Sequence, residues 1–207
     1  MQKRLPNIIL IFCDDLGYGD IGCYGSHVNK TPVLDSLAKR GMKFTDFYVS
    51  ASVCSPSRAS LMTGCYSQRI GLAAGSRATV LRPADPIGLG PNEITIADLL
   101  KKQGYTTGLI GKWHIGDQPP FLPTKHGFDE YFGLPFSNDM GPDHWQEDFP
   151  PIPLMKGENA IEFGPDQTTL THRYTEECIS FIKKHKDKPF FLYFSHMYVH
   201  LPLFAPQ

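Results

Sequence analysis

Two short segments of the sequence place chemically useful side chains directly after apolar runs. Asp14 and Asp15 are adjacent carboxylates, and carboxylates in a loop suit a hard divalent cation, which takes several oxygen ligands. An isolated Asp-Asp pair is a weak signal, because most such pairs are solvated turns. Lys112 and His114 lie two positions apart, a spacing that points both side chains the same way in extended backbone. Together they could neutralise an anion and transfer a proton near neutral pH.

Cys54 begins a third segment, CSPSRASLMTG, which ends at Gly64. Its later residues are compatible with a helix and Pro56 suits a first turn, so the sequence predicts Cys54 at a helix N-terminus. Free N–H groups and the positive end of the dipole favour a bound anion there. Arg58 would lie one turn further on, where its guanidinium can donate hydrogen bonds to the site. Taken alone, these residues could equally be a buried structural cysteine and a surface arginine.

The stretch CSPSR resembles the signature of the formylglycine-dependent sulfatases. Four further segments occur in that family's order: CDDLGYGD at 13–20, GKWHIG at 111–116, GLPFSND at 133–139 and FFLYFSHMYVHLPLF at 190–204. Together they span nearly the whole chain. The sequence is therefore similar to the N-terminal part of an arylsulfatase A-like sulfatase of the alkaline phosphatase superfamily.

The resemblance implies covalent chemistry that begins with modification of Cys54. In the family, a formylglycine-generating enzyme oxidises this cysteine to an aldehyde, formylglycine (3-oxoalanine). The aldehyde hydrates to a diol, and one hydroxyl attacks the sulfur of a sulfate ester. Calcium, with magnesium as an alternative, is held in the family by the residues that match Asp14, Asp15 and the modified Cys54. The implied substrate is a small sulfate ester or a sulfated glycan.

The same resemblance implies roles for the other motif residues. Arg58 is expected to contact the hydrated aldehyde, Lys112 to bind the sulfate, and His114 to assist the diol. His200 matches the histidine that protonates the leaving-group oxygen and contacts the substrate, although a lone histidine is more often structural. Ser137 matches a position that contacts substrate in related arylsulfatases, and turn capping is almost as good an interpretation.

The elements that must position these residues alternate along the chain. Apolar strands are predicted at 7–13, 42–49, 105–110 and 189–195, and helices at 31–41, 94–103 and 168–186. Residues 65–92 and 117–165 are rich in Gly and Pro and are predicted to be loops, and Trp113 is expected in the core. The pattern predicts an α/β fold: a largely parallel sheet sandwiched by helices, of the alkaline phosphatase and sulfatase type.

Composition limits the remaining functions. The chain has 207 residues, of which 41% are hydrophobic, enough for one sizeable core. Its net charge of −1 argues against nucleic-acid binding, and no segment is long enough for stable membrane insertion. Five cysteines without a C-x-x-C pair do not make a disulfide framework. The start of the chain is not a clear signal peptide, so localisation is open although the family is often exported.

We expect residues 1–207 to form an incomplete sulfatase N-terminal catalytic domain, truncated at its C-terminus and without the small C-terminal subdomain. In the family, an Asp-Asn pair and a further lysine downstream of the His-x-Pro segment complete the metal and sulfate sites. No matching pair follows His200. Two alternatives stay open: a phosphonate or phosphate ester hydrolase of the same superfamily, and an inactive truncated remnant of a sulfatase.

Overall fold

A six-stranded sheet runs through the middle of the computed structural model, which describes residues 5–75, 78–142 and 144–206. The strands are β1 (Ile8–Cys13), β2 (Thr106–Gly111), β3 (Glu130–Gly133), β4 (Pro153–Lys156), β5 (Asn159–Phe163) and β6 (Phe190–His196). Their order in the sheet is β1-β6-β2-β3-β4-β5, in which the first four run parallel, β4 is antiparallel to β3, and β5 is antiparallel to β4. The helices are α1 (Pro32–Arg40), α2 (Cys54–Thr63), α3 (Ile96–Lys102) and α4 (Gln167–His185).

Helices cover both faces of the sheet, as the alternation in the sequence predicts. Side chains alternate between faces along a strand, so the unbroken apolar run of β6 requires cover on each side. Phe190 and Leu192 face α4, with Phe181 among the helix residues in that core cluster. Phe191 and Tyr193 belong to the opposite cluster, to which α2 and α3 contribute. The predicted α/β sandwich with a largely parallel sheet is confirmed.

Side-chain caps mark the starts of α3 and α4. Thr95 caps α3 by accepting the Asp98 N–H, and the Asp98 carboxylate in turn accepts the Thr95 N–H, which completes a capping box. Asp166 caps α4 through the Thr168 N–H.

Of the helices in the described ranges, none has the length and apolar character needed to cross a bilayer.

The predicted strand at 42–49 is wrong. The structure shows no strand there, and Phe44, Phe47 and Tyr48 are exposed. β1 is an edge strand of the sheet, and the segment pairs with neither that edge nor any other described strand. Apolar and aromatic composition favours a strand only where a neighbouring strand supplies hydrogen bonds and a face to cover.

The segment predicted as loops at 117–165 contains three strands. β3 extends the parallel part of the sheet by pairing with β2, and β4 and β5 form a hairpin at its far edge. Each is only four or five residues long, too short for a periodic pattern to stand out among prolines and glycines. The segment at 65–92 contains no helix or strand in its described residues, as predicted.

Gly111 ends β2 and sets the position of the residues that follow. Its φ of 112° lies in the region that favours glycine, and a Cβ atom there would overlap the backbone carbonyl of Ser195 on β6. The close approach lets the Lys112 N–H donate to that carbonyl at 2.8 Å. The absence of a side chain at position 111 therefore brings the end of β2 against the end of β6.

We expect Gly111→Ala to lower the free energy of unfolding by about 3 kcal/mol, because backbone strain adds to overpacking. Gly19→Ala is the matched control, since a Cβ at Gly19 meets nothing within 4 Å. Urea unfolding followed by circular dichroism measures both variants. Equal stability of the two would contradict the close approach.

Candidate active site

The residues of the candidate site converge at one edge of the sheet. Asp14 follows β1, Lys112 follows β2, and Ser195 lies near the end of β6. Because these strands are parallel neighbours, their carboxyl ends meet at the same edge, the usual place for a ligand in such sheets. Backbone hydrogen bonds continue past the strands, including one from the Asp14 N–H to the carbonyl of His196 at 3.0 Å.

A buried carboxylate between two cations forms the centre of the site. The Lys112 Nζ lies 2.5 Å from Asp14 Oδ2, and the Arg58 Nη2 lies 3.2 Å from Asp14 Oδ1. All three side chains are almost completely buried. Burial alone would raise the pKa of the Asp14 carboxyl, but Lys112 and Arg58 outweigh it and hold the pKa below its ordinary value.

Arg58 is fixed by groups of the neighbouring strands. Its Nη1 donates to the carbonyl of Lys112 at 3.1 Å and to Ser195 Oγ, and the Ser195 hydroxyl donates to the same carbonyl at 2.6 Å. The guanidinium also lies over the ring of Phe12, 5.4 Å from its centroid. Among the described residues, Arg58 Nε has no hydrogen-bond partner.

Sequence reasoning did not identify Ser195 as a functional residue. The available signal was a polar residue near the carboxyl end of an otherwise apolar buried strand, the place where site residues are expected.

The Lys112 ammonium is hydrogen-bonded to two oxygens. An ammonium group has three N–H donors, and two of them are used by Asp14 Oδ2 and by Ser137 Oγ, which lies 3.0 Å away. The structure therefore brings Ser137 against the cation instead of leaving it as a simple turn cap.

His114 is held as a neutral imidazole. Its Nε2 lies 2.9 Å from the carbonyl of Leu81, and since a carbonyl only accepts, Nε2 carries the proton. Its Nδ1 is buried and has no hydrogen-bond partner among the described residues. Burial, and then the charge of Lys112, lower the pKa of His114 well below its ordinary value. The unprotonated Nδ1 is thus the atom that can accept a proton.

The extended backbone expected across Lys112 and His114 is wrong. His114 has φ of 62°, an uncommon left-handed conformation for a residue other than glycine. Trp113 between them is fully buried, and its indole N–H donates to the carbonyl of Phe121 at 2.8 Å, so its expected place in the core is confirmed.

Cys54 is the first residue of α2, as predicted, with Val53 in extended conformation before it. It is a free, half-buried thiol. The next residue does not cap the helix: Ser55 Oγ accepts the Leu81 N–H at 3.1 Å. Leu81 thus contacts the cysteine segment through its N–H and His114 through its carbonyl, which ties the 65–92 loop to the site.

Asp15 and His200 lie at the more open side of the site. Asp15 has φ of 61° and its side chain is 64% exposed. His200 Nε2 lies 3.9 Å from Asp15 Oδ2, and the charge of His200 is one of the influences that lower the pKa of Asp14, after burial acts to raise it. Both residues are therefore near the buried carboxylate. The neighbouring His196 instead accepts the Tyr198 N–H through its Nδ1 at 3.1 Å, a local structural contact.

The carboxylates make only part of a metal site. Ca²⁺ takes six to eight oxygen ligands. In the part of the chain that the structure describes, no group of three or more Asp, Glu, His or Cys side chains is arranged to hold an ion. Asp14 and Asp15 do not form a complete calcium site by themselves, and no chemical step through the ion is derived from them.

Comparison with known proteins identifies relatives that match nearly the whole chain. The family described as Sulfatase matches residues 6–207. The chain is 43% identical to arylsulfatase A of Bos taurus, covering 98% of this chain and 43% of the relative. It is 38% identical to N-acetylgalactosamine-6-sulfatase of Rattus norvegicus, covering 98% of this chain and 41% of the relative.

A solved structure has the same fold. The crystal structure of Ps i-CgsB in complex with k-i-k-neocarrahexaose matches with a TM-score of 0.81 and 36% identity, over 95% of this chain and 46% of that chain. The chain thus spans less than half the length of each of these three relatives.

We expect Asp14→Asn to lower the free energy of unfolding by about 3–5 kcal/mol, because it leaves the charges of Lys112 and Arg58 buried without a counter-charge. Glu177→Gln is the control. It removes the exposed pair with Lys156, whose N···O distance is 3.2 Å, and should cost less than about 1 kcal/mol. Urea unfolding measures both, and equal losses would show that the buried charges do not stabilise the fold.

The same carboxylate should make stability acid-sensitive. Because the pKa of Asp14 is lower in the folded chain than its ordinary value of about 3.9, the unfolded chain binds the proton more readily. The stabilisation is complete above about pH 4 and is lost as the pH falls through the lowered folded value. The acid limb of unfolding free energy against pH should be shallower in Asp14→Asn than in the unsubstituted chain.

Proposed function

The chain belongs to the sulfatase family, and from that membership we propose that it hydrolyses a sulfate monoester at the edge of the sheet where Cys54 and Lys112 lie. The observation that supports this most directly is the buried cluster of Asp14, Arg58 and Lys112 beside the start of α2. Two cations around one carboxylate leave positive charge for an anion, and the helix N-terminus adds to it.

We propose that Cys54 is the residue converted to formylglycine. The hydrated aldehyde would supply an oxygen nucleophile in place of a thiol. The half-buried position of Cys54 at the first turn fits this role, since Arg58 lies one turn further on. Burial favours a neutral guanidinium, but Tyr193 and Asp14 outweigh it and raise the pKa of Arg58 above its ordinary value. The cation therefore stays charged beside the modified residue.

The chain's own side chains divide the remaining tasks. We propose that the third N–H of Lys112 donates to a sulfate oxygen, where a fixed charge stabilises the developing negative charge. His114, neutral and unprotonated at Nδ1, accepts a proton from the nucleophile side. His200 donates a proton to the leaving-group oxygen, and Ser137 holds the Lys112 ammonium in place and contacts substrate.

For the metal, we propose only which residues of this chain would bind it. Asp14, Asp15 and the modified Cys54 are this chain's proposed share of the ligands for Ca²⁺, or for Mg²⁺ in its place. Asp15 can turn toward an ion because its side chain is exposed, whereas Asp14 is fixed by its two cations.

We propose a sulfated sugar as the substrate class. One relative is by name an N-acetylgalactosamine-6-sulfatase, and the similar solved structure contains k-i-k-neocarrahexaose. The phosphonate or phosphate ester alternative is not favoured, because the family and both curated relatives are sulfatases.

The test measures, in one sample, the conversion of Cys54 to the aldehyde and the hydrolysis of a sulfate ester. After co-expression with a formylglycine-generating enzyme, peptide mass spectrometry should find the aldehyde at position 54, and the protein should hydrolyse an aryl sulfate when Ca²⁺ is added. Cys54→Ala should abolish turnover. Cys65→Ala, just beyond the other end of α2, should retain it.

Three results would contradict parts of the proposal. Aldehyde at Cys54 without turnover in the presence of Ca²⁺ would mean an inactive remnant. Faster hydrolysis of an aryl phosphodiester than of the sulfate would favour the phosphoester hydrolase. An unmodified cysteine in the presence of the generating enzyme would reject the assigned modification site.

A further inference from the structure

Arg82 links the 65–92 loop to a turn that is distant along the chain. Its Nη2 donates to Gln146 Oε1 at 2.5 Å, and its Nη1 forms an ion pair with Glu147 Oε1. The Arg82 side chain is 13% exposed and that of Glu147 is 32% exposed, so the pair is more sheltered from water than an ordinary surface pair. We call these two contacts the Arg82 bridge.

The far end of the bridge is held in place by His144. The Nδ1 of His144 accepts the N–H groups of Gln146 and Glu147 at 3.2 Å each. Its ring packs against Phe149, with the two centroids 5.1 Å apart, and Phe149 is buried in the core. The backbone that carries the two acceptors is therefore fixed, and the planar guanidinium of Arg82 can bind both oxygens at once.

The near end of the bridge shares a peptide group with the carbonyl that holds His114. The carbonyl of Leu81 and the N–H of Arg82 belong to one planar unit. This N–H donates to Asp85 Oδ2 at 2.9 Å, and the carbonyl lies 2.9 Å from His114 Nε2. Because the unit is planar, a displacement of Arg82 also displaces the oxygen that accepts the His114 proton.

Arg82 also begins a closed turn. The Asp85 N–H donates to the carbonyl of Arg82 at 3.0 Å, and the Ala84 N–H donates to Asp117 Oδ2 at 2.8 Å. Asp117 thus anchors the turn near Ala84, whereas the Arg82 bridge anchors it beside Leu81. Of these two anchors, the bridge lies closer along the chain to the carbonyl that contacts the candidate site.

We propose that Arg82 is a positioning residue for His114. The bridge holds the Leu81 carbonyl where it accepts the His114 Nε2 proton, which leaves Nδ1 as the unprotonated atom. The two loops that meet at Arg82 thereby determine how the imidazole is presented to the site. The part of His114 in turnover rests on the proposed function, whereas the effect of the bridge on the hydrogen bonds of Leu81 does not.

Hydrogen exchange followed by NMR tests the bridge on two protons, the backbone N–H of Leu81 and the Nε2–H of His114. Exchange of such protons reports how often the local structure opens. Arg82→Ala should accelerate both about tenfold, because it removes a charge-assisted contact with two oxygens. The indole proton of Trp113 is the internal reference, since it is held by the carbonyl of Phe121 at 2.8 Å, and its exchange should change by less than about twofold.

Arg173→Ala is the matched control variant. It removes another partly exposed Arg–Glu pair, in which Arg173 Nη2 lies 2.7 Å from Glu162 Oε2, and should leave both exchange rates within about twofold. Arg82→Lys should accelerate exchange less than Arg82→Ala, because an ammonium group can still reach one oxygen. Arg82→Ala combined with Glu147→Ala should accelerate exchange by less than the product of the two single effects, because both residues act through one contact.

Two exchange results would overturn the positioning role. One is unchanged exchange at Leu81 and His114 in Arg82→Ala. The other is an acceleration that the Trp113 indole proton shares equally, since that would show a general loss of stability and not a local effect of the bridge.

Aryl-sulfate turnover by the aldehyde-bearing protein separates this proposal from the function on which it draws. In an active protein, Arg82→Ala should lower kcat about fivefold and leave KM within about twofold, because the bridge acts on His114 and not on substrate binding. Accelerated exchange with an unchanged kcat would overturn the positioning role and leave the sulfatase function standing. Accelerated exchange at Leu81 and His114, without turnover by the unsubstituted chain, would support the bridge and overturn the proposed function.

Discussion

The site is organised around one buried carboxylate that faces two cations. Asp14 joins the end of β1 to Lys112 after β2 and to Arg58 on α2, so three distant parts of the chain are held by one group. Removing charges from water is costly, and a single carboxylate does not neutralise two cations. The surplus is positive and lies beside the start of α2, an arrangement that favours a bound anion. The contacts that stabilise the fold therefore also create the positive charge on which the proposed anion binding depends.

The parts of the fold that could be predicted are those whose sequence pattern continues over a whole strand or helix. The runs that became β1, β2 and β6 are largely apolar, as expected of covered parallel strands. The edge strand β1 is covered on one face only, since Ile9 and Ile11 are exposed. The hairpin of β4 and β5 was missed because each strand is too short to show a period. The prediction of a strand at 42–49 was wrong for the opposite reason. The segment has the composition of a strand, but whether it finds hydrogen-bond partners depends on the sheet and not on the segment.

Motif resemblance identified the candidate residues, but it did not predict their conformations. The structure brings Arg58 and Ser137 to the groups around Lys112. It also gives His114 a left-handed backbone and a partner in Leu81, 33 positions away along the chain. Neither could be deduced from residue types, because each depends on backbone groups that the fold brings together. Ser195 was overlooked since a serine at a strand end is common.

The Leu81 contacts fix the protonated nitrogen of His114 through backbone atoms. Both hydrogen bonds use backbone atoms, the N–H to Ser55 and the carbonyl to His114. The carbonyl fixes the proton on His114 Nε2 and leaves Nδ1 as the acceptor, whatever side chain stands at position 81. The Leu81 side chain is buried among core residues and anchors the turn. The tautomer of His114 therefore depends on the backbone of the 65–92 loop and not on the side chain at position 81.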